Sequence, residues 1–384
     1  MEVMSIQDYK NAFAQNSGFL HLNNAGIAPW PIKTQLTISD WSLRLSRDGS
    51  HAIADVFPES EKTRPRLAGL LGTRPEQIAF FQTCATAISQ VALGLKFSPG
   101  DEIVVWDQEY PSNFYPWKVA AERSGAKLVI AKSTPELGTP NENLEAVVTS
   151  KTKVITVSWV QYRTGAITDL KRLSEFARAR GIFTCIDAIQ GLGALPFNFD
   201  DLKLDAVCGG AHKWFTSPLS LGFLVLQPEH VERLTPLSIG AITYGGTELL
   251  ASEATPMAKG VSRFEPGGRS LLEMIGFGET LNLITQVGVA SISKEANRLA
   301  VRLASGLSEK GYVVYSPHAS GDRSLTGQIL NFGPGEKSPL KSLPEIEDRL
   351  RSINASFAPR APGIRLSPHA FNTDEHIDQV LDSL

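Results

Sequence analysis

The fold is decided between residues 154 and 186. There the chain reads Val154-Ile-Thr-Val-Ser-Trp-Val160, then Asp169-Leu-Lys-Arg-Leu-Ser-Glu-Phe-Ala-Arg-Ala-Arg180, Gly181 and Ile182-Phe-Thr-Cys-Ile186. The first run is short, apolar and bounded by charge and turn residues, the pattern of a buried strand. The second puts Leu170, Leu173, Phe176 and Ala177 on one face of a helix, and Gly181 stands where a left-handed residue ends one. The third is another strand. Strand, helix, strand at these lengths makes a crossover unit, and such units build a mostly parallel sheet with helices on both faces.

The alternation extends in both directions. Residues 77–81, 102–106, 127–131, 205–208 and 222–226 read as further strands, for a total of seven, with helices over 85–95 and 115–124. Ile6, Tyr9 and Phe13 mark a short opening helix. After about residue 265 the pattern changes to long helices at 270–288 and 291–310, short strands at 312–315 and 327–332, a helix near 343–353 and a strand near 364. The expected organisation is a large α/β domain over 18–265 and a smaller α+β domain made of 1–17 and 266–384. The Gly-, Thr-, Ser- and Pro-rich stretch 235–268 forms the boundary and a functional loop region.

Composition narrows the function classes. A chain of 384 residues, 42% hydrophobic and 20% charged, is neither disordered nor fibrous, and it is long enough to bury a large core. The 37 basic and 40 acidic side chains leave a net charge of −3, which gives no pull toward nucleic acid or an anionic membrane. Cys84, Cys185 and Cys208 are widely spaced and form no CxxC, which argues against a disulfide framework or a zinc site and fits a reducing compartment. His51 and His369 carry no metal-ligand spacing. The N-terminal stretch lacks a basic region followed by an apolar core, so no signal peptide is expected. The charge-free stretches 11–32 and 77–95 hold too many amides and hydroxyls to span a bilayer. A cytoplasmic protein is the expectation.

Several chemistries lose support because their motifs are missing: G-x-x-x-x-G-K-[ST], H-E-x-x-H and G-x-S-x-G are all absent, and Gly191-Leu-Gly193-Ala-Leu-Pro196 lacks the third glycine of a dinucleotide fingerprint. The strongest positive signal is a pair of segments, Cys185-Ile-Asp187-Ala-Ile-Gln190 and Gly209-Gly-Ala-His212-Lys213-Trp214, each at the end of a strand. In an open α/β sheet ligands sit beyond the carboxyl ends of the strands. An acid, an amide, an imidazole and a lysine all arrive there, and a lysine in such a crevice is unfavourable unless paired or used. The set suits pyridoxal 5'-phosphate. The lysine forms an imine with the aldehyde, the aspartate keeps the pyridine nitrogen protonated, and the glutamine reaches the ring oxygen.

The chain resembles the class V branch of aspartate-aminotransferase-fold enzymes, which includes cysteine desulfurases, C–S lyases and isopenicillin N epimerase-like proteins. The matching stretches are Leu20-His-Leu-Asn-Asn-Ala-Gly26, Thr83-Cys-Ala-Thr86-Ala, Glu109-Tyr110-Pro-Ser-Asn-Phe-Tyr-Pro-Trp117, Asp187-Ala-Ile-Gln190, Ala211-His-Lys213-Trp, Arg263-Phe-Glu-Pro-Gly267 and Ile364-Arg365-Leu-Ser-Pro-His369-Ala-Phe-Asn372. They run in order from about residue 18 to about 372. The resemblance implies an aspartate-aminotransferase-like fold (PLP fold type I), with a mostly parallel seven-stranded sheet and a smaller α+β C-terminal domain. It also implies a homodimer with the site at the subunit interface and a small-molecule amino-acid substrate. By the same resemblance Lys213 holds the cofactor and shuttles the α-proton, while Asp187 and Gln190 bind the ring. His212 and the Cys84-Ala85-Thr86 turn bind the cofactor, the turn taking the phosphate at a helix N-terminus. Tyr110 stacks on the ring, and Arg365 grips the substrate carboxylate. Asn23, Asn24 and Ala25 line the substrate side. Each also has a plainer reading: Thr86 as a helix cap, Tyr110 as a rim residue, Arg365 in a surface ion pair, and the cysteines as packing.

Departures from the family pattern bear on the reaction. The region near 317–334, where desulfurases carry a nucleophilic cysteine, has none, so persulfide transfer by that route is not expected. Gly210 replaces a serine that often binds phosphate, and Trp214-Phe-Thr-Ser-Pro-Leu-Ser220 replaces a glycine-rich stretch. Gly268 stands where a threonine often reaches the partner's phosphate; its backbone, or Thr247, is the substitute. The substrate-facing region reads Gln161-Tyr162-Arg163-Thr164-Gly165, and Tyr162 or Arg163 points to a substrate with a second acidic group. Aminotransferase-like chemistry or C–S/β-elimination is the expected reaction. Amino-acid epimerisation and a non-catalytic binding protein of the same fold are the alternatives.

Overall fold

The computed structural model describes residues 3–14, 18–245, 253–317 and 327–384. Seven strands form the large sheet: β1 (Ile78–Phe81), β2 (Glu102–Trp106), β3 (Lys127–Ala131), β4 (Thr152–Ser158), β5 (Phe183–Asp187), β6 (Ala206–Gly210) and β7 (Gly222–Leu226). They lie side by side in the order β1-β7-β6-β5-β4-β2-β3. β7 runs antiparallel to both its neighbours, and the other pairings are parallel. The mostly parallel seven-stranded sheet read from the sequence is therefore the one the chain forms.

Its strands read as nearly unbroken apolar runs because both faces are covered. On one face Ile103, Val105, Cys185, Cys208 and Leu224 pack with Ala87, Ile88 and Val91 of the helix Cys84–Gly94 and Trp117 of the helix Pro111–Ser124. On the other, Val104, Trp106, Ile186, Val207 and Phe223 pack with Leu173 and Ala177 of the helix Leu170–Arg178 and Phe277 of the helix Leu271–Val287. Alternate residues of each strand thus feed opposite cores.

The smaller sheet is antiparallel, ordered β10-β11-β9-β8 from β8 (Val313–Val314), β9 (Leu330–Gly333), β10 (Ala358–Arg360) and β11 (Gly363–Leu366). Helices Val289–Glu309, Leu343–Ser352 and Asp374–Ser383 cover it. The expected division at 265/266 runs through shared cores. Met274, Phe277, Leu281 and Ile284 belong to the core of the large sheet, while Leu20 and Leu22 belong to that of the small sheet. Residues 20–23 are bridged to Ala355 and Ser367.

The helices Ile32–Asp48, Ser50–Glu61 and Thr63–Leu71 occupy a stretch with no clear apolar period in the sequence. Gly49 separates the first two at a φ of 53°. Among the described residues no helix is long and apolar enough to cross a membrane.

One glycine fixes how the turn after β1 sits on the sheet. A Cβ on Gly222 would lie 2.2 Å from the Thr83 carbonyl carbon and 2.4 Å from the Cys84 nitrogen. Both are backbone atoms, which cannot rotate away. Gly222→Ala is expected to cost about 1–3 kcal/mol, read as a lowered thermal midpoint; an unchanged midpoint refutes this close approach.

Candidate active site

The carboxyl ends of β2, β4, β5 and β6 and the turn after β1 surround a cleft of about 320 Å³. Asp187 is the last residue of β5, and Lys213 follows β6 by three residues. Tyr110 caps the helix after β2, Tyr162 follows β4, and Cys84 opens the helix after β1. Parallel strands end at one edge of the sheet, so residues far apart in sequence meet there.

Lys213 is only 9% exposed. Its Nζ lies 5.6 Å from the centroid of the Tyr110 ring. Burial pushes the ammonium pKa down to about 8; Asp187 opposes this, while Arg365 and Arg360 add to it. The Asp187 carboxylate accepts a hydrogen bond from Ile189 N at 3.1 Å and a weaker one from Cys84 Sγ at 3.6 Å. Burial raises its pKa, with the Ile189 amide and Lys213 pulling the other way. Gln190 is locked at both ends: its amide donates to Ala25 O at 3.0 Å and its carbonyl accepts from Trp214 Nε1 at 2.9 Å. Trp214 in turn stacks on His369, whose Nε2 is 3.1 Å from Trp214 O. Burial and the neighbouring Lys213 hold His212 down at about 4, neutral at pH 7.

The turn after β1 is a helix N-terminus. Thr83 is its cap, accepting from Thr86 N at 3.0 Å, so Thr86 is the capped residue and not the cap. The hydroxyls of Thr83 and Thr86 lie 2.7 Å apart. The amides of Cys84 and Ala85 have no carbonyl one turn back, and both residues line the cleft.

Arg365, on β11, is 2% exposed, which removes the surface ion-pair reading. It donates to Tyr162 O at 2.9 Å and to Asn23 Oδ1 at 2.8 Å, and its buried Nε has no partner. The Tyr162 ring meets Tyr110 edge-on at 5.0 Å.

Other expected site residues lie elsewhere. Asn24 is buried and donates to Ser367 O at 2.8 Å; Asn23 is the asparagine that meets Arg365. Gln161 is buried beneath the floor and donates to Glu109 at 3.4 Å. Thr86 and Gly268 line a neighbouring cavity of about 210 Å³. Thr247 lies outside the described residues, as do 318–326 of the stretch where a nucleophilic cysteine was sought. All three cysteines are described and buried. The Gly191–Gly193 run serves packing: a Cβ on Gly191 would meet the Trp159 ring at 2.1 Å, and one on Gly193 the Trp214 backbone at 2.8 Å.

Two neighbours escape the sequence reading. Arg360, on the strand paired to β11, lines the cleft, and nothing local in the sequence marks it. Glu109, beside Tyr110, accepts from Ser158 N and Oγ and from Asn113; burial lifts its pKa to about 7 against those bonds. Like Asp187 it is a carboxylate just beyond an apolar strand, and that was its available signal.

Fold and site together define an α/β enzyme built around a buried lysine and a buried aspartate at the switch edge of a parallel sheet. The aminotransferase class-V family model matches residues 33–332, and the chain belongs to that family. It is 24% identical to a probable cysteine desulfurase of Methanothermobacter thermautotrophicus, over 100% of this chain and 98% of the relative. It is 28% identical to isopenicillin N epimerase of Streptomyces clavuligerus, over 99% and 98%. Its fold matches that of a lysine variant of C-DES with glycine covalently linked to the PLP cofactor, at a TM-score of 0.87 and 22% identity over 97% and 98% of the two chains.

The residues present fit pyridoxal phosphate. Among the described residues Asp187 has no cation within ion-pair distance, although it is buried at the floor of the cleft. It therefore offers a free anionic oxygen to a ring N–H, and the helix N-terminus offers amides to a phosphate.

Proposed function

We propose that the chain is a pyridoxal-phosphate-dependent enzyme acting on an amino acid or related amine, by aminotransferase-like or C–S/β-elimination lyase chemistry. The observation that carries this is the pair of buried, opposite, unbridged charges, Lys213 and Asp187, on one cleft wall beside a helix N-terminus.

In this reading Lys213 Nζ would hold the cofactor's aldehyde, Asp187 its ring nitrogen, Gln190 its ring oxygen, and the Cys84-Ala85-Thr86 turn its phosphate, with Thr86 on the side of the neighbouring cavity. Tyr110 would cover the ring, and His212, neutral at pH 7, would lie beside it. When bound, the cofactor supplies an electron sink for the substrate's α-carbon. Lys213 Nζ, with its pKa lowered to about 8, takes the proton from that carbon and returns it. Arg365 orients the substrate through its carboxylate, and Tyr162 and Asn23 hold the guanidinium in place. The Trp214–Gln190–Ala25 chain keeps the ring-facing amide fixed. No loop thiol is part of this reading, since residues 317–334 contain no cysteine. The 28% identity to an epimerase favours reprotonation on the opposite face as a second reading.

The reading includes a homodimer, supported by the exposed apolar side chains Leu36, Leu43, Ile53 and Phe57 on adjoining helices. Three free thiols fit the reducing cytoplasm.

The test is reconstitution with pyridoxal phosphate, followed by amino acids screened for changes in the visible band. A protein that stays colourless refutes the reading, and a coloured one that no amino acid alters supports the non-catalytic alternative. The lowered lysine pKa adds a pH prediction. Covalent uptake needs the neutral amine, so its rate should rise with a midpoint near 8. A midpoint near the ordinary lysine value refutes the burial argument.

A further inference from the structure

We infer that the substrate carries a second acidic group, held by Arg360 while Arg365 holds the first. This rests on reading the cleft as the site of a pyridoxal-phosphate-dependent amino-acid enzyme.

The two arginines come from one hairpin. β10 ends at Arg360 and pairs with β11 so that Ala358 faces Arg365 and Arg360 faces Gly363. Both guanidinium groups line the cleft that holds Lys213. Among the described residues neither forms an ion pair. Arg365 is bonded only to neutral oxygens, those of Tyr162 and Asn23, and one of its buried nitrogens has no acceptor. Arg360 donates only to the carbonyl of its own neighbour Pro359, at 2.8 Å. A third guanidinium, Arg163, donates to Ala361 O in the turn of the same hairpin at 3.3 Å, and its Nε is buried and unpartnered.

Arg365 is taken out of water without an anion, which is unfavourable; Arg360 is half-exposed at the mouth of the same cleft, and both stay charged at any working pH. The groups also feel one another: Arg360 lowers the pKa of Arg365, and both lower that of Lys213. The anions expected at the other end of the cleft are already assigned, with Asp187 on the ring and the phosphate at the helix N-terminus. An α-carboxylate satisfies one guanidinium. A substrate with only that acid leaves the second cation unneutralised beside the first; a carboxylate or sulfonate on the side chain satisfies both. Arg offers the planar, two-pronged donor set such groups accept.

The cofactor-loaded protein provides the test, with two amine-free probes of equal length, glutarate and pentanoate, and binding measured by calorimetry. Glutarate should bind at least about tenfold more tightly than pentanoate. Arg360→Gln should bring that ratio close to one while leaving pentanoate unchanged, and Arg360→Lys should keep part of it. Arg365→Gln should weaken both probes. A wild-type ratio near one overturns the inference. So does an Arg360→Gln variant that weakens both probes equally, since that places Arg360 on the first carboxylate. A protein that takes up no cofactor overturns the underlying reading and the inference together. One that takes up cofactor but does not distinguish the probes overturns the inference alone.

Discussion

Lys213→Ala is expected to yield a folded protein that carries no covalently held cofactor and has lost about 10³-fold or more of its turnover. The side chain is 9% exposed and its ammonium is disfavoured by burial. Its pKa in the folded chain, about 8, lies below the ordinary 10.5, so the folded state resists the proton that the unfolded chain keeps. The destabilisation from Lys213 is therefore full below about pH 8 and fades as pH rises toward 10.5. Replacing it with alanine removes that penalty, so the thermal midpoint at pH 7 should be no lower than that of the native apoprotein. Loss of function without loss of fold separates a chemical role from a structural one. Mass spectrometry of the loaded protein, absorbance and a melting curve check the three parts. A variant that keeps both covalent cofactor and turnover removes Lys213 from the centre of the site.

Asp187→Asn should be the next most damaging change. The carboxylate sits at the end of β5 with an amide and a thiol as its hydrogen-bond donors. Asparagine keeps the shape and loses the charge. A charge-assisted hydrogen bond contributes about 1.5–3 kcal/mol, so cofactor retention should weaken by roughly 10- to 150-fold. Turnover should fall further, since nothing then holds the ring nitrogen protonated. The variant also reports on Lys213. Asp187 is the first of the groups that raise the lysine's pKa, so the pH midpoint of cofactor uptake should move below about 8. An unmoved midpoint with intact affinity excludes the pairing.

The parts of the fold that were legible share one physical cause. Strands β2, β4, β5, β6 and β7 are buried on both faces, which forces continuous apolar runs that stand out against polar helices. The helices over 32–71 lack that contrast. The first two lie on the outside, expose Leu36, Leu43 and Phe57, and hold Pro58 and Gly49 where a helix reading breaks off, while Thr63–Leu71 buries Leu67 and Leu71. β10 was missed because three residues, one of them Pro359, are too few to show a period.

The cleft was legible where a residue's chemistry conflicts with its surroundings, as with an acid or a lysine at the end of an apolar strand. It was illegible where the role depends on a register. Arg360 enters the cleft only because β10 pairs with β11, and Thr86 faces a neighbouring cavity because Thr83 takes the cap. Asn23 and Asn24 are adjacent and identical, and only the bridge to Ser367 decides which one reaches Arg365.

That bridge makes residues 20–26 a strap between the two sheets. Leu20 and Leu22 are anchored in the small domain's core, Asn23 holds Arg365, and Ala25 O holds Gln190. The proposed grip on one end of a substrate is thereby wired to the proposed grip on the cofactor ring. A break in this strap would uncouple them while leaving each sheet intact. A change in this strap should therefore loosen both grips at once, even though Arg365 keeps its bond to Tyr162 O.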